Sequence, residues 1–299
     1  MQNLRSEAIL NFLKGLFMGA CDIIPGISGG TIAFITGIYE RLIRAIKNVT
    51  SKDFIKSLPM FLNPYRYSLI KKNLQKADVF FLSYVAIGIF TGVLLVSFLV
   101  SFLLEYYKAY TIAFFVGLIL ASSKLIYDRI NPKKTEDIFF ALIGFLIGIS
   151  LVFIVPAETK SFTLLYVFIS GFIAVSAMFL PGLSGAYLLL VLGIYEYMID
   201  VLHNVREKTA DFFIFIIGGA AGVIVLSRIV TFFLERWRTK TLFFLFGIVL
   251  GGLSVPVKKI TDSLPDVVSN TQLIAVGLFL LLGVLIIVTI KIFENYVKK

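Results

Sequence analysis

The sequence predicts an all-α polytopic membrane protein built from two copies of one unit, the second inserted upside down. Three observations carry this: long uncharged apolar runs, a repeated helix-breaking motif, and a one-sided distribution of lysine and arginine. Of the 299 residues, 59% are hydrophobic and 15% charged, and mean hydropathy is +0.95, far from the soluble norm. Val79–Leu104, Tyr110–Ser123, Ile138–Ala157, Ser161–Tyr195, Phe212–Ser227, Thr241–Val257 and Val267–Ile290 each lack Asp, Glu, Lys and Arg. Several match the ~20 apolar residues that cross a bilayer as helix.

The repeat is read from residues 15–43 and 171–199. Displaced by 156 positions without a gap, they share Gly15/Gly171, Pro25/Pro181, Gly26/Gly182, Ser28/Ser184, Gly29/Gly185, Gly37/Gly193, Ile38/Ile194, Tyr39/Tyr195, Glu40/Glu196 and Ile43/Ile199. Apolar bias does not place Pro-Gly-x-Ser-Gly and Gly-Ile-Tyr-Glu at one common offset, so the chain is an internal duplication. Further matches, among them Gly88/Gly218, Gly92/Gly222, Glu105/Glu235 and Gly117/Gly247, run at an offset of 130. Residues 1–157 are expected to form the first unit, with a motif at 7–46, a basic loop at 47–77 and three spans. Residues 158–299 form the second, with a motif at 161–200 and three spans, both in one integrated membrane domain.

Charge gives the orientation. If each motif leaves and returns to one side, twenty of the 28 Lys and Arg fall on the side of the termini and six on the other. Positive charge marks the cytoplasmic face, so both termini are expected there, as in a bacterial cytoplasmic membrane protein. The three crossings at 79–104, 110–126 and 138–156 separate the motifs, so the second motif enters from the opposite face. The loop 47–77 mixes Lys and Arg with Phe, Tyr and Leu, and reads either as lying on anionic inner-leaflet lipids or as a plain cytoplasmic loop. The net charge of +10 is topology, not a nucleic-acid footprint. No signal peptide is apparent, and a lone Cys21 and a lone His203 offer neither a disulfide nor a metal site. No cofactor is expected.

Within the motif, Pro25 ends the first helix near Ile24. Gly26, Gly29 and Gly30 allow the reversal, and a new helix starts near Thr31 with Ser28 or Thr31 as cap. Likewise Pro181 and Gly182 interrupt the second copy, and a helix starts near Ala186 with Ser184 as cap. The short pieces of the first motif predict a re-entrant hairpin; the second is a hairpin or a span plus a half-span. Broken backbone at membrane depth needs protein or water to satisfy it. A Gly-Ser-Gly turn opening a helix suits an anion, while tight helix crossing at glycine would need no ligand.

Charged residues sharpen the candidate site. Asp22 sits at a helix C-terminus, where the dipole disfavours it, so a proton, a cation or Arg228 is expected as its partner. Arg228 lies within an apolar run and is expected to face the bundle interior or water. Lys14 is expected to snorkel to the cytoplasmic surface. Glu40 and Glu196 close the two motifs, each after Gly-Ile-Tyr, and Trp237 reads as an interface anchor.

Met18-Gly19-Ala20, Asp22, Pro25-Gly26-Ile27-Ser28-Gly29-Gly30-Thr31, Ala33-Phe34 and Gly37-Ile38-Tyr39-Glu40 resemble the signature of the bacterial polyprenyl-phosphate transporter family. The resemblance implies a translocase that returns undecaprenyl phosphate, the carrier of wall precursors, from the outer to the inner leaflet. It implies substrate contacts at Asp22, Pro25, Gly26, Ser28, Gly29, Gly30, Thr31, Tyr39 and Glu40. The repeat adds Pro181, Gly182, Ser184, Gly185, Tyr195 and Glu196, and the buried-charge reading adds Arg228. The copies differ at Met178, where Asp22 falls, and at Ala186, where Gly30 falls, so coupling to a proton or sodium through Asp22 would be one-sided.

Two other classes compete. Membrane phosphatases of undecaprenyl pyrophosphate carry a similar Pro-Gly-x-Ser turn followed by an Arg that grips phosphate. Here Gly29 and Gly185 stand in that place, and neither motif holds a His to act as acid or nucleophile. An enzyme is therefore not expected. A small-anion transporter or channel would use the same helix ends and is the nearer alternative.

Overall fold

The computed structural model describes residues 2–22, 28–57, 67–130, 134–153, 162–265 and 268–297, and among them all regular structure is helical. Helix α1 (Gln2–Asp22) precedes a short α2 (Gly29–Ile35) and an amphipathic α3 (Tyr39–Val49). The basic loop holds α4 (Lys52–Ser57) and α5 (Tyr67–Lys76), then α6 (Val79–Tyr106), α7 (Lys108–Arg129) and α8 (Thr135–Ser150) follow. The second half begins with α9 (Leu164–Met178), a short α10 (Gly185–Val191) and α11 (Tyr195–His203). It ends with α12 (Thr209–Gly252), α13 (Ser254–Asp262) and α14 (Asn270–Val297). Thr135–Phe153, Thr209–Asp262 and Asn270–Thr289 are long and apolar enough to cross a membrane. Large apolar side chains such as Phe90, Leu95, Leu146, Leu165 and Ile274 stand exposed on the helix surfaces, as lipid-facing positions do.

Helix α1 starts at Gln2 rather than near residue 7, and its Glu7 pairs with Arg41 of α3 at 2.6 Å. Helix α12 is broken at Trp237, whose backbone (φ −139°, ψ 54°) is not helical. The basic stretch 236–240 thus begins at a one-residue kink between two helical arms. Trp237 is exposed there, with the Arg236 guanidinium 5.5 Å from its ring.

Glycine sets the packing. A Cβ on Gly15 would lie 2.2 Å from the Val85 carbonyl oxygen, and one on Gly19 would lie 2.1 Å from that of Ile89. Gly88 and Gly92 meet the carbonyls of Phe12 and Leu16, each at 2.2 Å. These contacts advance together along both helices, so α1 and α6 run in the same direction with backbones in close approach. The second half repeats them: Gly171 meets Phe215, Gly218 meets Phe168, and Gly222 meets Phe172. Each partner is displaced by the 156 or 130 positions seen in the sequence.

The remaining helices reveal a third register. Gly117 meets Leu280 and Gly247 meets Ala141, both at 2.0 Å; Gly283 meets Phe114 and Gly144 meets Phe244, both at 2.1 Å. Gly144 and Gly283 are therefore counterparts at an offset of 139. The last helix of each half packs on the middle helix of the other: α8 on the second arm of α12, and α14 on α7. This exchange ties the halves into one body.

Candidate functional site

Both motifs fold as hairpins whose short helices double back on the long ones. In the first, Ser28 (φ −131°, ψ 143°) caps α2, its Oγ accepting from the Thr31 amide at 3.3 Å. The expected cap is correct, although α2 begins at Gly29. The Asp22 carboxylate accepts from the Gly29 amide at 2.6 Å. In the structure Asp22 meets not Arg228 but the positive end of α2, which offsets the unfavourable C-terminus of α1. Pro25 and Gly26 lie outside the described residues.

At the far end of α2, the Lys14 ammonium donates to the Thr36 carbonyl at 3.1 Å. Lys14 therefore does not snorkel; it satisfies the C-terminal end of a helix that would otherwise carry open carbonyls. Its sequence signal was its position eight residues before Asp22, on the stretch that the returning helix must pass.

The second hairpin follows the same plan with neutral groups. Ser184 caps α10, accepting from the Tyr187 amide at 3.4 Å. Tyr166 OH donates to the Leu192 carbonyl at 2.5 Å, so α10 returns to the level at which α9 begins. Gly182 has φ +84°, and a Cβ there would lie 2.5 Å from the Ile248 carbonyl. Only glycine fits that turn against α12. Met178, in the place of Asp22, packs its side chain against Gly185.

The two tips meet. Ser28 Oγ donates to the carbonyls of Met178 (3.3 Å) and Leu180 (3.4 Å), and the Gly182 amide donates to Thr31 Oγ1 at 2.8 Å. Gly30 permits the approach, since a Cβ there would lie 2.6 Å from the Met178 carbonyl. Ser28 is 1% exposed and Thr31 2%, so the junction is sealed from solvent. From Glu7 to Asp22 and from Thr163 to Met178 the helical rise is ~22 Å each. Their sum matches the ~40–45 Å of a bilayer with its headgroups.

Asp22, Ser28, Gly29, Gly30, Thr31, Pro181, Gly182, Ser184 and Gly185 thus lie at or beside this junction. Tyr39, Glu40, Tyr195 and Glu196 do not: they follow the positive-φ turns at Gly37 and Gly193, at the outer ends of the short helices. Glu40 is bound in a fork by Arg238 (2.7 to 3.1 Å), with Arg44 at 3.5 Å. Behind that pair lies a cavity of about 180 Å³ lined by Phe34, Tyr39, Ile130 and Leu242. The Tyr39 hydroxyl is buried without a hydrogen-bond partner.

Of the two surroundings expected for Arg228, the structure shows water rather than the bundle interior: the side chain is exposed and donates to the Thr50 carbonyl at 3.2 Å, at the C-terminus of α3. An arginine's reach lets it leave an apolar helix face for a helix end. Arg238, in contrast, went unnoticed in the sequence, although Lys108/Arg238 is a match at the offset of 130.

A bundle with two broken hairpins meeting head to head calls for comparison with known membrane proteins. Residues 18–272 match the model of the "undecaprenyl phosphate translocase-like" family. The chain belongs to that family. A relative from Vibrio cholerae described as a polyprenyl-phosphate transporter is 36% identical over 243 residues, covering 81% of this chain and 75% of its own. Another from Staphylococcus aureus, with the same description, is 30% identical over 260 residues, covering 82% and 84%. No solved structure matches. The region matched by the family model includes both hairpins, the tip junction and the Glu40–Arg238 pair.

Proposed function

We propose that this protein is a translocase for undecaprenyl phosphate or a related polyprenyl phosphate in the bacterial cytoplasmic membrane, recycling the carrier for cell-wall polymer synthesis. Family membership supports the substrate class, and the tip-to-tip junction is the observation that carries the reading. A lipid phosphate needs hydrogen-bond donors at mid-depth for its head group and a lateral way out for its tail. The hydroxyls of Ser28 and Thr31 and the Gly182 amide are such donors. In the sealed state they spend their bonds on each other and on the carbonyls of Met178 and Leu180. A phosphate oxygen would take the place of those carbonyls, so substrate entry and parting of the tips become one event.

Asp22 gives this event a coupling requirement. A phosphate arriving beside the carboxylate meets a like charge in a poorly screened site. Entry is favourable when a proton, or a sodium ion, neutralises Asp22. Met178 offers no such group on the other side, so coupling is one-sided. Residues 1–157 and 158–299 act as inverted repeats that exchange conformations, with the termini cytoplasmic and the basic loop on the anionic inner leaflet. Transport leaves the head group intact, since neither motif holds a His or the phosphate-gripping Arg of the phosphatase turn.

The test is reconstitution into liposomes with labelled undecaprenyl phosphate in the outer leaflet. Loss of surface-accessible phosphate with intact head groups supports the proposal. Release of free phosphate would make the protein an enzyme. Neither change, with folded protein and with uptake of a small anion, would replace the lipid by a soluble substrate.

A further inference from the structure

The two hairpins have the same fold but are not in the same state. Every residue of α2 from Gly29 to Phe34 is buried, whereas in α10 only Gly185 is. Tyr39 is 2% exposed and its counterpart Tyr195 is only partly buried. The first hairpin belongs to the main core, with Phe34, Tyr39, Leu42 and Ile43 packed among residues of α6, α7 and α12. Ile194, Met198 and Val201 of the second form a small cluster of their own with Val167.

Side-chain ties account for the difference. Three link the end of the first hairpin to α12: Glu40 with Arg238, Lys47 with Glu235 at 3.1 Å, and Arg228 with the Thr50 carbonyl. The repeat offsets translate the first two into Glu196 with Lys108, and His203 with Glu105. The charges of the first pair survive the translation; its contact does not. Among the described residues neither Lys108 nor Glu196 has an ion-pair partner, and Glu196 is exposed. Lys108 and Glu105 instead line an open cavity of about 310 Å³ with Tyr106, Asp262 and Gln272. Helix α11 is held by its own neighbourhood, through Lys208 bonded to Asp200 and Tyr197 OH donating to Asp211 at 2.9 Å.

We infer that Lys108 and Glu196 are the outer gate of this transporter, the counterpart of Glu40–Arg238, and that only one of the two pairs is closed at a time. The inference rests on the inverted-repeat reading of the proposed function but not on the identity of the substrate. In the present state the inner pair is closed and the outer pair open. When the repeats exchange conformations, α11 docks on the α6–α7 turn as α3 now docks on the kink of α12. Glu196 then reaches Lys108, Tyr195 becomes buried as Tyr39 is, and the fork of Arg238 on Glu40 opens. Solvent-accessible pairs of this kind are weak enough to exchange. Arginine at the inner gate and lysine at the outer bias the resting state, because the planar fork binds a carboxylate in two places and an ammonium in one.

Cysteine pairs test this in proteoliposomes without substrate. The Glu40→Cys/Arg238→Cys and Lys108→Cys/Glu196→Cys proteins, each checked for a monodisperse elution profile, are oxidised and free thiols are counted by a mass-tagged maleimide. The single variants serve as controls for the buried Cys21. Each pair is expected to cross-link in its own protein, and a four-cysteine protein is expected to form one disulfide per molecule, never two. Failure of the Lys108/Glu196 pair to cross-link while the inner pair does, or two disulfides in one molecule, overturns the inference. A charge swap gives an independent reading. Lys108→Glu and Glu196→Lys should each slow transport roughly tenfold, and the double variant should recover most of it. A double variant as slow as the worse single one overturns the gate. If cross-linking is exclusive but liposomes do not move polyprenyl phosphate, the gates stand and the substrate falls. If transport occurs without exclusivity, the reverse holds.

Discussion

The first hairpin and the second solve the same structural problem with different chemistry. Each must satisfy the C-terminal carbonyls of a seven-residue helix inside the bundle. The first uses a cation, Lys14 on Thr36; the second a phenol, Tyr166 on the equivalent Leu192. Each must also seat the start of that helix, and here the first uses a carboxylate, Asp22, while the second uses the thioether of Met178. Duplication fixed the backbone geometry, and divergence then concentrated charge on one side. That arrangement supports the proposal that coupling runs through one hairpin only.

If the backbone geometry is truly common to both halves, matched glycines should fail alike. Gly88→Ala and Gly218→Ala each drive a Cβ to 2.2 Å from a facing carbonyl. Each is expected to cost about 3 kcal/mol or more, read as loss of thermal stability in detergent. Gly277→Ala, with nothing within 4 Å, is the control and should gain up to ~1 kcal/mol from helix propensity. Unequal losses at Gly88 and Gly218 would break the equivalence of the halves.

If the chemistry is one-sided, the tips should respond unequally. Asp22→Asn keeps an oxygen to accept from Gly29, so stability should change by no more than ~1 kcal/mol. Gradient-driven accumulation should fall about a hundredfold, equivalent to ~2.7 kcal/mol, because an amide admits the head group without taking or releasing a proton. Met178→Leu should transport near the parent rate. Undiminished accumulation by Asp22→Asn would remove the coupling role from the first tip.

Much of this was legible because helix breakers are sparse and directional. Pro25 and Pro181 located the turns, Ser28 and Ser184 were the expected caps, and one offset made the hairpins a pair. What stayed hidden lay where apolar residues are interchangeable. The offset of 139 between Gly144 and Gly283 rests on one glycine in a run of Leu, Ile and Phe, where any register looks alike. The Glu40–Arg238 pair joins residues 198 apart, and no local pattern announces it. Arg228 stayed open between interior and water, because an apolar neighbourhood in sequence says nothing of where a long side chain ends.

The two helix-end caps offer a finer comparison. Lys14→Met removes a charged donor and leaves the Thr36 carbonyl at a helix C-terminus without it, a loss of about 1.5–3 kcal/mol. Tyr166→Phe removes a neutral donor and should cost about 1 kcal/mol. Chemical unfolding of the two variants side by side reads the difference. Equal losses would mean that the charge at Lys14 adds nothing to the cap.

The smallest effect separates a tip-centred site from one built on buried cations. Arg228 is exposed and its recorded bond is to one backbone carbonyl, that of Thr50. Thr50 also ends α3 through its own backbone amide, which donates to Ile46, so α3 keeps a cap when the arginine goes. Arg228→Ala should therefore cost less than ~1 kcal/mol and leave transport within about twofold of the parent. Under the proposed function the head group is held by Ser28, Thr31 and Gly182 at the junction, away from this guanidinium. A large loss of transport by Arg228→Ala with stability unchanged would put a phosphate contact beside the C-terminus of α3 and move the site away from the tips.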